Sequence, residues 1–299
     1  MQDIDSFHHL GIITHDLAAA VARYERLGFV FTPPSFPEFP LSPDGTPERV
    51  GVANRNVIFR NSYLEMLGVV DAAKWASIPA AQRGPFDIDR PLRRHEGLHV
   101  MHFGTGDLDR VRARLVGDGL QPSPIRPFRR MVETPDGVVP MRARSLSFAP
   151  ESHPEALFQI GQHETPELAL QPRFMAHPNG ALALSEAILC VEDPEEVAAR
   201  YGRYAGCPVD RRGPLRVMAL GEARLIVVGS RDLPAVLPGE SVPTTPYMAG
   251  FTVIADLDQA TALLHRQEIP FHHHDGRMVV SGRGACGSAI VFERPGADR

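Results

Sequence analysis

The chain repeats itself four times, which limits its possible folds more than any single motif does. Each copy has an aliphatic stretch, an Asp, and an amphipathic run closing about 12 residues later. The first reads His9-Leu-Gly-Ile-Ile-Thr-His-Asp16 before LAAAVARYERLG, the second Val100-Met-His-Phe-Gly-Thr-Gly-Asp107 before LDRVRARLVGDG. The third is Ala187-Ile-Leu-Cys-Val-Glu-Asp193 before PEEVAARYGRYAG, the fourth Phe251-Thr-Val-Ile-Ala-Asp256 before LDQATALLHRQE. Each Asp stands where an N-cap belongs, with a side-chain oxygen free to accept from the N–H groups of the first turn. Gly28, Gly119 and Gly206 stand where three of the helices should stop. Short β-rich runs follow every helix: FVFTP, NVIFR and SYLEMLGVV in the first copy, and CPVDR, LRVMAL and ARLIVVG in the third. Each unit therefore reads βαβββ, and the fold class is α+β. The Asp-to-Asp intervals of 91, 86 and 63 mean that the copies differ mainly in loop length.

With 299 residues, 43% of them hydrophobic, the chain is long enough for two domains. TPELALQPRFMAHPNG, without clear strand or helix period, separates residues 1–165 from 180–299. Within it, Met175-Ala-His177-Pro-Asn179-Gly180 reads as a linker turn. A net charge of −5 without a basic stripe argues against nucleic acid as a partner. No run reaches the length of a membrane span, and MQDIDSFHH lacks the apolar core of a signal peptide, so the expectation is cytoplasmic. Cys190, Cys207 and Cys286 lie in or beside predicted strands and read as small buried hydrophobes rather than a disulfide framework. Three long irregular segments, 33–48, 71–96 and 121–139, read as lids or binding loops. All belong to the first pair of units, which favours an active site in the N-terminal half.

His9 lies in the first strand, seven residues before Asp16, and Glu65 lies in the last strand of the same unit. A buried carboxylate there needs a partner, and a metal would serve. In the second unit His99 and His102 fall on opposite faces of one strand, because side chains alternate. His9, Glu65 and His102 would make two imidazoles and a carboxylate, a set suited to a divalent transition metal with positions left open. Gln159, in the second unit's last strand, is a weak fourth ligand or an orienting hydrogen-bond partner. Tyr63, Asn54 and Arg55 are candidate pocket residues. Each has a plainer alternative: a core histidine for His9, an ion pair with Arg55 or Arg60 for Glu65, turn chemistry for Asn54. The run His272-His273-His274 has no accompanying carboxylate match, and its neighbours face opposite ways. Neither a Gly-x-Ser-x-Gly elbow nor a P-loop is present.

The stretch His9 to Asp16-Leu17, the helix ending Glu25-Arg-Leu-Gly-Phe29, Gly51-Val-Ala-Asn54 and Tyr63-Leu-Glu-Met-Leu67 together resemble the vicinal oxygen chelate superfamily. The glyoxalase-like branch is the most similar. The resemblance implies four βαβββ modules paired into two domains, each a curved mixed sheet forming a cup. It also implies one divalent metal ion (Fe, Mn, Zn, Ni or Co) held by first and last strands, and substrates that chelate through neighbouring oxygens. His9 and Glu65 match the ligand positions. The second module departs from the pattern: its histidine is displaced, leaving His102 and His99 as alternatives, and ALFQIG lacks the usual Glu. Four-module length also resembles extradiol dioxygenases, whose iron sits in the C-terminal pair, but here only Glu293 matches there. The C-terminal domain therefore reads as structural or pocket-shaping.

The expectation is a metal-dependent lyase or isomerase acting on a small oxygenated molecule, with Glu65 as ligand or proton carrier. The alternatives are an extradiol-type or other non-haem iron dioxygenase, and a metal-free protein that sequesters a small ligand. A small-molecule substrate is the expected partner, with no membrane and with homodimerisation left open.

Overall fold

The computed structural model describes residues 3–42, 45–83 and 87–296. The first unit comprises β1 (Ser6–Thr14), α1 (Leu17–Arg26), the small ribbon β2 (Glu38–Phe39) and β3 (Glu48–Arg49), then β4 (Val52–Ile58) and β5 (Tyr63–Val69). Short helices α2 (Ala72–Ser77) and α3 (Asp89–Leu92) lead to the second unit. This is β6 (Gly97–Gly104), α4 (Leu108–Gly117), β7 (Arg126–Thr134), β8 (Gly137–Ser147) and β9 (Leu157–His163). After α5 (Pro166–Ala169) comes the third: β10 (Ala181–Val191), α6 (Pro194–Ala205), β11 (Asp210–Arg212), β12 (Leu215–Leu220) and β13 (Ala223–Gly229). The fourth is β14 (Tyr247–Ala255), α7 (Leu257–Arg266), β15 (His272–His274), β16 (Arg277–Val280) and β17 (Ala289–Glu293).

The four repeated aspartates do what their spacing predicts. Asp16 accepts from the Ala19 N–H and Asp107 from that of Arg110, both at 3.0 Å. Asp193 caps Glu195 and Glu196, and Asp256 caps Asp258 and Gln259. Each helix then buries one stripe: Leu17, Ala20, Val21 and Tyr24 on α1, Leu257, Ala260, Leu263 and Leu264 on α7. Gly28, Gly119 and Gly206 end their helices with φ of +85°, +75° and +64°. Behind α7 no glycine is available, and Glu268 takes φ +54° instead.

In each half the first strands of two units lie side by side and antiparallel, β1 with β6 and β10 with β14. The last strand of each unit runs parallel to its first. The resulting orders are β4-β5-β1-β6-β9-β8-β7 and β11-β12-β13-β10-β14-β17-β16-β15, and a bridge between Leu98 and Met248 joins them into one curved mixed sheet. The helix-side faces of both halves share a single apolar core that includes Tyr24, Phe103, Tyr201, Phe251 and Phe292. The linker is a structural tie within that arrangement. His177 accepts from the Val30 N–H through Nδ1 at 3.1 Å and donates to Ile58 O through Nε2 at 2.9 Å, while Asn179 donates to Leu27 O. All three cysteines are free. Among the described residues no helix is long and apolar enough to cross a membrane.

Two expectations change. FVFTP is not a strand: Thr32 bonds to Asn56 O and Ser35 bridges Asn54, but Pro33 and Pro34 have no N–H with which to continue a ladder. The segments expected to be irregular are partly ordered. Residues 121–139 contain all of β7, the turn of the β7–β8 hairpin and the start of β8, 71–96 carry α2 and α3, and 33–48 contain β2 and the start of β3. Residues 43–44 and 84–86 of those segments lie outside the described residues.

A non-glycine residue in the left-handed region is strained by roughly 1–2 kcal/mol. Glu268→Gly relieves that strain and should raise the stability by about 0.5–1 kcal/mol in urea denaturation, once the added freedom of the unfolded chain is subtracted. An unchanged or lower midpoint would show that Glu268 is held there by contacts worth more than the strain.

Candidate metal centre

The antiparallel seam between β1 and β6 sets His9 directly opposite His102. One strand away on either side, β5 places Glu65 beside Gly11 and β9 places Gln159 beside His102. The His9 and His102 ring centroids are 4.2 Å apart, and His9 Nε2 lies 3.9 Å from Glu65 Oε2. Tyr63 stacks on His9 at 4.6 Å, and Asn54 Nδ2 donates to Glu65 Oε1 at 2.8 Å. The structure thus brings His9, Glu65, His102, Tyr63 and Asn54 together, with Gln159 at the register position next to His102.

A third imidazole joins them through a β-bulge. Phe7 pairs with Phe103 but His9 pairs with His102, so His8 is the extra residue on β1. Strict alternation would send His8 to the opposite face. The bulge instead turns it into the cluster, where its Nδ1 lies 2.8 Å from His9 Nδ1 and its ring stacks on His163 at 3.9 Å. Gly161 makes the room, since a Cβ there would come within 2.8 Å of His8 Cδ2. Ligand nitrogens of His8, His9 and His102 all lie within 4.8 Å of one another.

Two candidates fall elsewhere. Arg55 is not a pocket residue: it points to the helix side, where Nε donates to Thr32 O at 2.9 Å, Nη1 pairs with Glu25 at 3.7 Å, and the guanidinium lies over Phe31. Alternation along β4 explains this, because Asn54 and Arg55 are neighbours and only one of them can face Glu65. His99, the alternative to His102, is stacked on His95 and bonded to His95 O at 2.8 Å. It lines a separate cavity of about 310 Å³ with Arg94 and His153. The run His272–His274 is also remote in chemistry from this cluster, with His274 bonded to Ala235 O.

Three contributors escaped the sequence reading. His8 needed the bulge, which has no sequence signature. His163 was accessible in principle, since it is four residues after Gln159 on one strand and alternation puts both on one face. Arg130 was hidden inside a segment read as irregular. It sits on β7, its Nε is buried without a hydrogen-bond partner among the described residues, and its charge acts on His9, Tyr63, Glu65 and His163.

Burial dominates the electrostatics. It holds His8 and His9 well below the ordinary imidazole value, with repulsion from neighbouring histidines adding to the effect. The same cause lowers His102 to about 3 and His163 to about 4. Burial raises the Glu65 carboxyl, against the opposing field of Arg130, and raises the Tyr63 hydroxyl. At neutral pH the site therefore presents unprotonated imidazoles, the form that binds metal. His8 Nε2, Asn54 Oδ1 and both His163 nitrogens are buried without partners among the described residues. Unprotonated donors converging beside a carboxylate, several of them unsatisfied, fit a divalent transition metal.

A family profile described as a glyoxalase-like domain matches residues 7–205, two thirds of the chain and all of the cluster. The chain belongs to the glyoxalase-like domain family. Its fold is that of the vicinal oxygen chelate superfamily, as solved structures bear out. A hypothetical protein from Staphylococcus aureus aligns at 10% identity and TM-score 0.63, over 97% of this chain and 99% of that one. A mutant of 4-hydroxymandelate synthase from Streptomyces coelicolor aligns at 12% and 0.55, over 100% and 95%. The Mn(II)-bound glyoxalase from Novosphingobium aromaticivorans aligns at 12% and 0.52, over 98% and 82%. No curated protein matches the chain significantly.

The Gly161 contact gives a direct handle on His8. Gly161→Ala should displace that ring and lower the affinity for added Mn(II) or Co(II) about tenfold in calorimetric titration, with the far-ultraviolet circular dichroism unchanged. Undiminished metal affinity would remove His8 from the site.

Proposed function

We propose that this chain is a divalent-metal-dependent enzyme acting on a small oxygenated substrate by isomerase or lyase chemistry. One observation carries the reading: unprotonated His8, His9 and His102, of which His9 is buried and the other two half-buried, meet beside the half-buried carboxylate of Glu65. His9, His102 and Glu65 would hold the ion, with His8 as a further donor. Fe, Mn, Zn, Ni and Co all suit imidazole and carboxylate donors. When bound, the ion supplies a Lewis acid for a substrate carbonyl or enolate.

The remaining roles belong to the chain. Glu65, its carboxyl raised by burial and oriented by Asn54, is the group placed to accept and return a proton. Tyr63, with its hydroxyl raised in the same way, stays a donor at all physiological pH. The Arg130 guanidinium supplies a positive field over the cluster and suits an acidic group on the substrate. Gln159 would orient the substrate from the β9 side.

A second reading has its own support. A histidine-rich set with one carboxylate is also the donor chemistry of non-haem iron sites, so dioxygen activation is the alternative enzyme reading. The lack of a carboxylate on β9, where Gln159 stands, supports a metal-free ligand-binding protein instead.

A panel of small hydroxy- and oxo-carboxylic acids, offered to protein loaded with each metal in turn, separates these. The expected result is turnover that chelation abolishes, one metal restores, and dioxygen exclusion leaves intact. Arg130→Gln should raise KM about tenfold or more, the loss of a charge-assisted hydrogen bond. Dioxygen uptake would transfer the assignment to an oxygenase, and ligand binding that survives chelation without turnover would transfer it to sequestration.

A further inference from the structure

The C-terminal half contains a second cup, built at the same repeat positions but from different chemistry. Glu186 stands seven residues before Asp193, as His9 stands seven before Asp16. On β14 it faces Thr252, as His9 faces His102 on β6. On β13 it faces Arg224, at the position that Tyr63 holds beside His9. Glu293 and Arg277, paired across β17 and β16, occupy the register positions of Gly161 and Ser145. Imidazoles have thus been replaced by carboxylates and guanidinium groups.

The two carboxylates are almost entirely removed from solvent, while the Arg224 and Arg277 side chains keep 11% and 26% of their surface exposed. Glu186 is fully buried, receives bonds from Arg224, from Arg277 Nη1 at 3.1 Å and from Thr252 Oγ1 at 2.7 Å, and is satisfied. Glu293, whose side chain is 3% exposed, has a longer bond of 3.4 Å from Arg277 to Oε1, while its Oε2 has no partner among the described residues. Arg224 Nε is likewise buried and unpartnered. All four line a cavity of about 630 Å³ whose walls include Val217, Ile226, Val279 and Val291. That volume lies within the range of small-ligand sites. A sheet face that served structure alone would be cheaper with apolar residues here, because buried ion pairs seldom recover their desolvation penalty. An idle carboxylate oxygen and an idle guanidinium N–H beside an apolar wall are complementary to a definite ligand.

We propose that the C-terminal cup is a second small-molecule site, independent of the metal centre. It takes a carboxylate with an apolar body and a hydrogen-bond donor on the adjacent carbon. The ligand carboxylate accepts from Arg224 Nε, its hydroxyl or ammonium donates to Glu293 Oε2, and the body rests on Val279 and Val291. The charges of Glu186, Glu293, Arg224 and Arg277 balance, and Arg212, Arg294 and Asp275 on the same walls add one net positive charge, so the pocket does not repel either a hydroxy acid or a zwitterionic amino acid.

Calorimetric titration of the intact chain with 2-hydroxy-4-methylpentanoate and with leucine tests this, with 4-methylpentanoate as the probe lacking the donor. The expected result is millimolar or tighter binding of at least one of the first two, and at least tenfold weaker binding of the third. Glu293→Gln should weaken the preferred probe at least tenfold, and Val236→Trp, placed at the cavity wall, should abolish binding by filling it. Arg130→Gln, in the other cup, should leave it unchanged. Preference for the hydroxy acid or for the amino acid identifies the source. Failure of both to bind, equal binding of the donor-free probe, or binding indifferent to both C-terminal substitutions would overturn the proposal.

Discussion

Everything at the candidate site depends on how β1 meets β6. The antiparallel seam between the first strands of two units sets His9 opposite His102, although the residues are far apart in sequence. Parallel pairing of each last strand against its first then brings Glu65 and Gln159 to the flanks. The seam is also irregular in a useful way. One extra residue in β1 breaks the alternation, and the ladder gives up a regular pair to put two consecutive imidazoles into one patch. Gly161 across the sheet is the complement of that bulge, since a side chain there would occupy the volume of the His8 ring.

The two halves use one framework for two kinds of polar interior. In the N-terminal cup, burial is set against groups that can shed their charge, and the imidazoles are neutral as a result. In the C-terminal cup it is set against carboxylates and guanidinium groups that neutralise each other. The first solution leaves lone pairs available to a cation. The second leaves one donor and one acceptor available to a polar organic molecule. Both cups open on the face opposite the shared apolar core, so the core can be common to the halves while the chemistry diverges.

The repeat was legible in the sequence because local rules govern it. Asp at each N-cap and glycine at three helix ends are decided within a few residues, and all appear in the structure. The meeting of His9, Glu65 and His102 was legible because alternation and repeat register fix the faces of regular strands. Reading failed where regularity failed. His8 was lost to a bulge, Arg130 to a hairpin carrying Pro and charged residues that resembled a loop, and Arg55 was put in the pocket although its neighbour Asn54 already held the inward face. The C-terminal cup was hidden because it carries no histidine at the repeat positions: Glu186 holds the place of His9.

In the proposed reading His8, His9, His102 and Glu65 form one metal centre. The most direct measurement is an anomalous-difference electron-density map from crystals of the full chain soaked in Mn(II) or Co(II). One dominant peak is expected among those four side chains, within coordinating reach of at least His9, His102 and Glu65. A map without a peak there, or with its dominant peak at His272–His274, would contradict it.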